Sequence, residues 1–375
     1  MKIRNVSFAM NSSTYVVALT VAVCLPGCGG KGGDDGAAPG AGSRPSTVPK
    51  GAPGAGSSGG VDAGGQTGSP TGTGIGRADG GGDPSVGCGQ GTYCMAGSDI
   101  APPDASEGFQ FVSPSSISIL PGGESFYCYY KNVPGTENGE VDLGGFKSWM
   151  TAQSSHHFIT FLAGSAGAVK QADGALQTCA FGAGQWVYAT SKSGMIVGMD
   201  MPDGVGLPMT SGAQLIMNMH LINTGDTPVS PVVKLNGYYA KNIKYKAASM
   251  ASFNIGINVP PMGTQTVRGT CTPPAGSNFF LLTTHTHKFA TAADINYVSG
   301  GQTTNLVHTT DWESPGTHIW QAPNFLTTKA GDTFTYSCTY QNPNSFAVTV
   351  GETAARNEMC MAIGYFFPQG TASCN

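Results

Sequence analysis

The sequence predicts an all-β protein, two antiparallel, jelly-roll-like β-sandwiches that follow a disordered tether rich in Gly, Ser and Pro. Three observations predict it. Short alternating stretches such as SISIL, QLIMNMHLI, PVVKLNGYY, TFTYSCTY and FAVTV recur between Gly, Pro, Asn and Asp turns. No segment carries a long helical period. The 375 residues include 56 glycines and only 11% charged residues, proportions far from globular averages that put part of the chain outside any folded core.

The N-terminal segment reads as an export signal. Lys2 and Arg4 supply a positive start, and YVVALTVAVCLPG is an apolar run too short for a membrane span. It ends at LPGC, Leu25 to Cys28, which resembles the lipobox of bacterial lipoproteins, although Pro26 departs from that motif. Residues 1–28 are therefore expected to be a lipoprotein signal segment, with the mature chain anchored to the outer membrane or cell surface through Cys28. An ordinary signal peptide cut nearby is the alternative.

Residues 29–86 are almost wholly Gly, Ala, Ser, Pro, Thr and Asp, and cannot bury a core. As a flexible coil of about 55 residues this linker would have an end-to-end distance of roughly 40 Å, enough to hold a folded head away from a membrane. The remaining residues, about 290 of them, are too many for one sandwich and suit two, expected over 87–243 and 244–375. The join falls near Lys241 to Ala247, after PVVKLNGYYA.

Charge and cysteine usage narrow the function. The net charge of −4 gives no basic footprint for nucleic acid. Setting aside Cys24 and Cys28 from the ten cysteines leaves Cys88, Cys94, Cys128, Cys179, Cys271, Cys338, Cys360 and Cys374, an even number that points to disulfides in an exported protein. Sequence alone selects no pairing among them. A cysteine zinc site would need CxxC spacing, which is absent.

The seven histidines are distributed unevenly. In TTHTHKF, His285 and His287 stand at i and i+2, so on a strand they share one face and form a two-nitrogen claw for a metal. His156 and His157, in SSHHFITF, are adjacent, so both could face one metal only at a strand end or a bulge. Taken singly, His220 in MNMHLIN reads as a structural residue, and Met359 in NEMC as core filler. His308 and His318 read as loop or strand-end residues.

Together, SHHF, MNMHLIN, HTH and NEMC, in this order and spacing, resemble the copper type II, ascorbate-dependent monooxygenases. The resemblance runs from about Phe111 to Cys374 and includes PDGVGLPM before His220 and GDTFTYSCTY before NEMC. It implies that His156, His157 and His220 hold one copper in the first sandwich. It also implies that His285, His287 and Met359 hold a second in the other, the two facing each other across a solvent-filled cleft. The soft thioether suits Cu(I) and would gain little from zinc.

The implied activity is hydroxylation of an aliphatic C–H of a small substrate with O2 and ascorbate or another reductant. O2 chemistry would fall to the His285/His287/Met359 copper, and the other copper would store an electron. Peptide-amidating members place an arginine two positions before HTH and a tyrosine four positions after the ligand methionine. Here Thr283 and Ile363 stand there, so the carboxylate anchor is missing and a neutral or weakly polar substrate is expected. Asn218 stands where those members carry glutamine. The resemblance further pairs Cys338 with Cys360, Cys271 with Cys374 and Cys128 with Cys179, leaving Cys88 with Cys94.

Two other classes compete with an enzyme. One is a surface copper carrier, to which the methionines between Met195 and Met219 would add thioethers, although their alternation with other apolar residues reads more simply as β core. The other is a metal-free β-sandwich adhesin, which would require all six ligand matches to be accidental.

Overall fold

The computed structural model describes residues 91–375, apart from 153, 180–183, 314 and 354. The signal segment, Cys28, the linker and Cys88 lie outside the described residues. Those described belong to one unit, Thr73–Asn375. They form strands throughout, with one 3-10 turn at Thr136–Asn138 as their sole helical element. Among them no helix is long and apolar enough to cross a membrane.

Each sheet takes its strands from one side of Ala247. Before it, a five-stranded sheet runs in the order Leu176–Thr178, Glu124–Asn132, Gln214–Ile222, Ser155–Leu162, Gln185–Thr190. A seven-stranded sheet is built around Val141–Met150, with Met195–Asp200 and Val233–Tyr239 as its neighbours. The two face each other across a core, where the Phe146 and Tyr188 rings stack at 5.2 Å and the Ser148 and Tyr188 hydroxyls meet at 2.7 Å. Tyr245–Lys246 still belongs to this half, pairing with Val205–Met209 in parallel, so the connection is itself part of a sheet.

After Ala247, the sheet of Ala248–Phe253, Met361–Phe367 and Asn278–His285 covers a second sheet centred on Thr333–Gln341. Phe279 meets Phe334 at 4.8 Å, and the Ser252 and Tyr336 hydroxyls meet at 2.7 Å between the layers. Most pairings are antiparallel; burial alternates along Thr333–Gln341, whereas Gln214–Ile222 and Met361–Phe367 are buried almost continuously.

The predicted strands QLIMNMHLI and TFTYSCTY form as read. SISIL does not. Ile117 and Ile119 are buried and the intervening Ser118 is exposed, so the alternation is real, but the stretch makes only the bridge Ile119 to Val229. Proline at 114 and 121 brackets it, and an isolated alternating segment without a continuous partner has nothing to complete a ladder.

The disulfides Cys128–Cys179, Cys271–Cys374 and Cys338–Cys360 are all present. Such bonds persist in oxidising compartments.

The two halves share an apolar boundary. The core of the first half continues into Phe280, Leu281, Ile363 and Tyr365 of the second. Within it the Trp186 indole N–H donates to the Tyr365 hydroxyl at 2.8 Å, and that hydroxyl donates to the Val187 carbonyl at 3.1 Å. Tyr365→Phe would leave the buried indole N–H unsatisfied, at a cost of about 1–3 kcal/mol. A lowered denaturant midpoint with an unchanged m-value is the expected result, and an unchanged midpoint would contradict the role given to this bond.

Candidate metal centre

The His156–His157 doublet sits on the bulge that its sequence requires. Along the pairing of Ser155–Leu162 with Gln214–Ile222, His157 is opposite His220 and Ser155 is opposite Leu221, so His156 is the extra residue. A bulge turns two consecutive residues that would face opposite ways toward one side. The three rings lie 4.9–5.0 Å apart, centroid to centroid. One nitrogen from each falls within 4.8 Å of the others, as a metal's ligands must.

The HTH pair is arranged differently from a plain strand. The strand Asn278–His285 ends at His285, and His287 lies beyond it. Glu358 sets the turn: its carboxylate accepts from the His287 backbone N–H at 2.8 Å and from that of Phe289 at 2.6 Å. The His287 Nδ1–H donates to the Asn357 carbonyl at 3.1 Å, which leaves Nε2 as the free nitrogen. The rings of His285 and His287 stand 5.3 Å apart.

Met359 follows Glu358 directly and lies two residues before Met361, the cross-strand partner of His285. The strand begins only at Met361, so Met359 and Cys360 precede it. Met359 packs into the apolar cluster shared by both halves, while Cys360 packs into the core of the second half.

All five histidines form one group. His157 is 5.1 Å from His285 and 6.3 Å from His287, and His156 is also 6.3 Å from His287. The solvent-filled cleft implied by the resemblance is therefore closed here. His157, His220, His285 and His287 are buried beside the apolar boundary of the two halves. Trp312, from the second half, covers His156 at 5.4 Å.

Desolvation governs the charge of these rings. Burial, aided by the neighbouring histidines, lowers His156 from 6.5 to about 3 and holds His157 and His285 well below their usual range. Burial also lowers His287 to about 4, partly opposed by the Asn357 carbonyl. Neutral imidazoles keep a lone pair for a metal. Five buried nitrogens have no hydrogen-bond partner: His156 Nε2, His157 Nδ1, His220 Nδ1, His285 Nε2 and His287 Nε2. Buried polar atoms are rarely left this way, and five in one place fit a site built for metal.

Sequence reading missed the residues that orient this group. Glu124 accepts from His220 Nε2–H at 2.7 Å and so frees Nδ1, while Phe126 stacks on the same ring at 4.1 Å. Glu358 lies within the NEMC motif beside Met359 but was not singled out, and nothing in the sequence pointed to Trp312. Burial pushes the Glu358 carboxyl up to about 7 despite its backbone donors. The Asn218 amide, read only as a substitution for glutamine, donates to both sulfurs of Cys128–Cys179, at 3.4 and 3.2 Å.

The other histidines stand apart in role. His308 pairs with Asp294 at 2.7 Å on the surface, and His318 donates to the Leu306 carbonyl and stacks on Trp320. Of the methionines between Met195 and Met219, Met199, Met201, Met209, Met217 and Met219 are core residues of the first half, whereas Met195 is partly exposed.

Glu358→Ala should leave the N–H groups of His287 and Phe289 unpaired, lowering stability by about 1–3 kcal/mol for each. Glu358→Gln retains one acceptor oxygen and should cost less. A melting temperature insensitive to both substitutions would contradict this placement.

Comparison with known proteins agrees with the chemistry of the group. Residues 251–375 match the C-terminal domain of copper type II ascorbate-dependent monooxygenases. Dopamine beta-hydroxylase of Canis lupus familiaris is 31% identical over 98 residues, which span 26% of this chain and 16% of that protein. Among solved structures, N-glycanase F is similar over 72% of this chain and 99% of its own, at 10% identity and a TM-score of 0.34. The major capsid protein P2 of bacteriophage PM2 is similar over 70% and 98%, at 8% identity and a TM-score of 0.32. These two likenesses are too loose to bear on function. Residues 251–375 are thus similar to the C-terminal domain of the copper type II ascorbate-dependent monooxygenases, and the chain spans less than a fifth of the length of the curated relative it matches.

Proposed function

We propose that this chain is an exported dicopper monooxygenase that hydroxylates an aliphatic C–H of a small neutral substrate with O2 and an external reductant such as ascorbate. One observation carries the reading: five imidazoles converge, each with a buried and unpartnered nitrogen, in a chain whose C-terminal third matches a copper monooxygenase family. His156, His157 and His220 would hold one copper, and His285, His287 and Met359 the other. Residues 87–243 and 244–375 would be the two copper-binding domains.

Copper, when bound, supplies the one-electron and O2 chemistry. The chain's residues do the rest. Glu124 and the Asn357 carbonyl fix ring tautomers, Glu358 holds the turn of His287, and Met359 offers a soft thioether that favours Cu(I) over zinc. Burial and the cover of Trp312 keep bulk water from the reacting groups. A neutral substrate is supported by Thr283, which is buried and bonded to the Gly316 carbonyl and to Thr317 where an arginine anchor would stand.

The purified chain, offered copper alongside zinc, should retain two coppers and consume O2 with reductant while forming a hydroxylated product. Met359→Ile should cost less than about 1.5 kcal/mol in stability, keep copper at the three-histidine set, and lose coupled O2 consumption. His220→Ala should abolish the same turnover. Two coppers that cycle with reductant but never yield product across a broad panel of C–H substrates would favour the carrier instead.

We also propose that Cys28 is lipidated and anchors the chain to a membrane, as LPGC suggests. Cys28→Ser should release the protein from membranes or leave its signal uncut. Unchanged membrane fractionation would refute the anchor.

A further inference from the structure

At the boundary of the two halves, away from the histidines, lies a partly open cavity of about 720 Å³, within the range of small-molecule sites. It lies along the strand that leads to His285. Phe280, which lines it, is five residues before His285, roughly 16 Å at the rise of a β-strand.

The cavity has an aromatic side and an acidic side. On the first, Phe367 meets Tyr245 at 5.5 Å and Phe325 edge-on at 5.0 Å, and Tyr245 remains half exposed. On the second, Tyr93 lies flat on Gly198, where a Cβ would come within 2.0 Å of its ring, so glycine is required for that ring to sit there. The Tyr93 hydroxyl is buried and has no hydrogen-bond partner.

Asp200 and Asp203 complete the acidic side, and neither makes an ion pair among the described residues. Asp200 lines the cavity and is exposed to solvent. The surrounding protein raises its carboxyl above the usual range, partly opposed by Lys147. Lys147 itself is directed to the Tyr238 ring, at 5.4 Å. Lys244 also lines the cavity and is exposed, so the lining sets two carboxylates against one ammonium and carries net negative charge.

We propose that this cavity binds a small organic ammonium ion, its apolar body among Tyr245, Phe325 and Phe367 and its cationic head against Asp200 and Asp203. Aromatic faces attract cations, and an unpaired carboxylate in a concave site adds the charge that discriminates against neutral and anionic analogues. Both halves and the connecting strand Tyr245–Lys246 contribute to the lining, so an occupant would brace them against separation. This inference does not depend on the proposed copper chemistry.

Benzyltrimethylammonium is a suitable probe because it has no lone pair to offer a metal. Calorimetric titration of the full chain at fixed ionic strength should give saturable binding at one site. Benzyl alcohol and phenylacetate should bind at least about tenfold more weakly. Asp200→Asn and Tyr245→Ala should each weaken the ammonium by up to about tenfold while leaving copper content unchanged. Asp203→Asn, at an exposed position, is the check should Asp200→Asn fail to fold. Absence of saturable binding, tighter binding of phenylacetate, or an affinity unmoved by all three substitutions would overturn the proposal.

Discussion

Five imidazoles packed together, each with a buried ring nitrogen that has no hydrogen-bond partner, are an unstable arrangement on their own, and much of the molecule is organised to hold them there. Each buried ring nitrogen without a partner carries a desolvation cost. Two kinds of support offset it: the apolar boundary that joins the halves, and a set of acceptors that fix the remaining nitrogens. Glu124 serves His220 from the neighbouring strand of its own sheet, and the Glu358 carboxylate serves the turn of His287. A metal bound to the free nitrogens would remove the rest of the cost, which links metal affinity to folding stability.

The two ligand sets are held by different means. His157 and His220 are cross-strand neighbours in a continuous sheet, braced by the disulfide Cys128–Cys179 through the Asn218 amide. His285 and His287 straddle a strand end and depend on the two-residue strand Asn357–Glu358, which pairs in parallel with Val348–Val350. The disulfide Cys338–Cys360 ties the residue after Met359 to the opposite sheet. The first set is thus part of a rigid ladder, whereas the second rests on one carboxylate and one crosslink. Such asymmetry suits one set with fixed geometry beside another whose thioether can adjust.

Much of this was legible in the sequence because strand period and histidine spacing are local properties. QLIMNMHLI forms the central strand as its pattern demands, and SHHF needed a bulge and has one. Properties that depend on distant chain segments were not legible. Glu124 meets His220 across 96 positions, Trp312 reaches His156 from the other half, and no local signal encodes either contact. SISIL had the right alternation but no continuous partner, which only topology decides. The expected open cleft failed for the same reason: whether two halves touch is set by the complementarity of their surfaces, here Trp186 against Tyr365.

The bulge at His156 also bears on how this sequence can change. Because the doublet works only with one residue in excess, deleting a single residue at or just before it would restore an uninterrupted ladder and improve the pairing of that edge. The better-paired strand would point one of the two imidazoles into the opposite layer. Selection for a more regular sheet and selection for the three-histidine set therefore pull this position in opposite directions, and the retained irregularity is a mark of function that no substitution-based comparison of residue types would register.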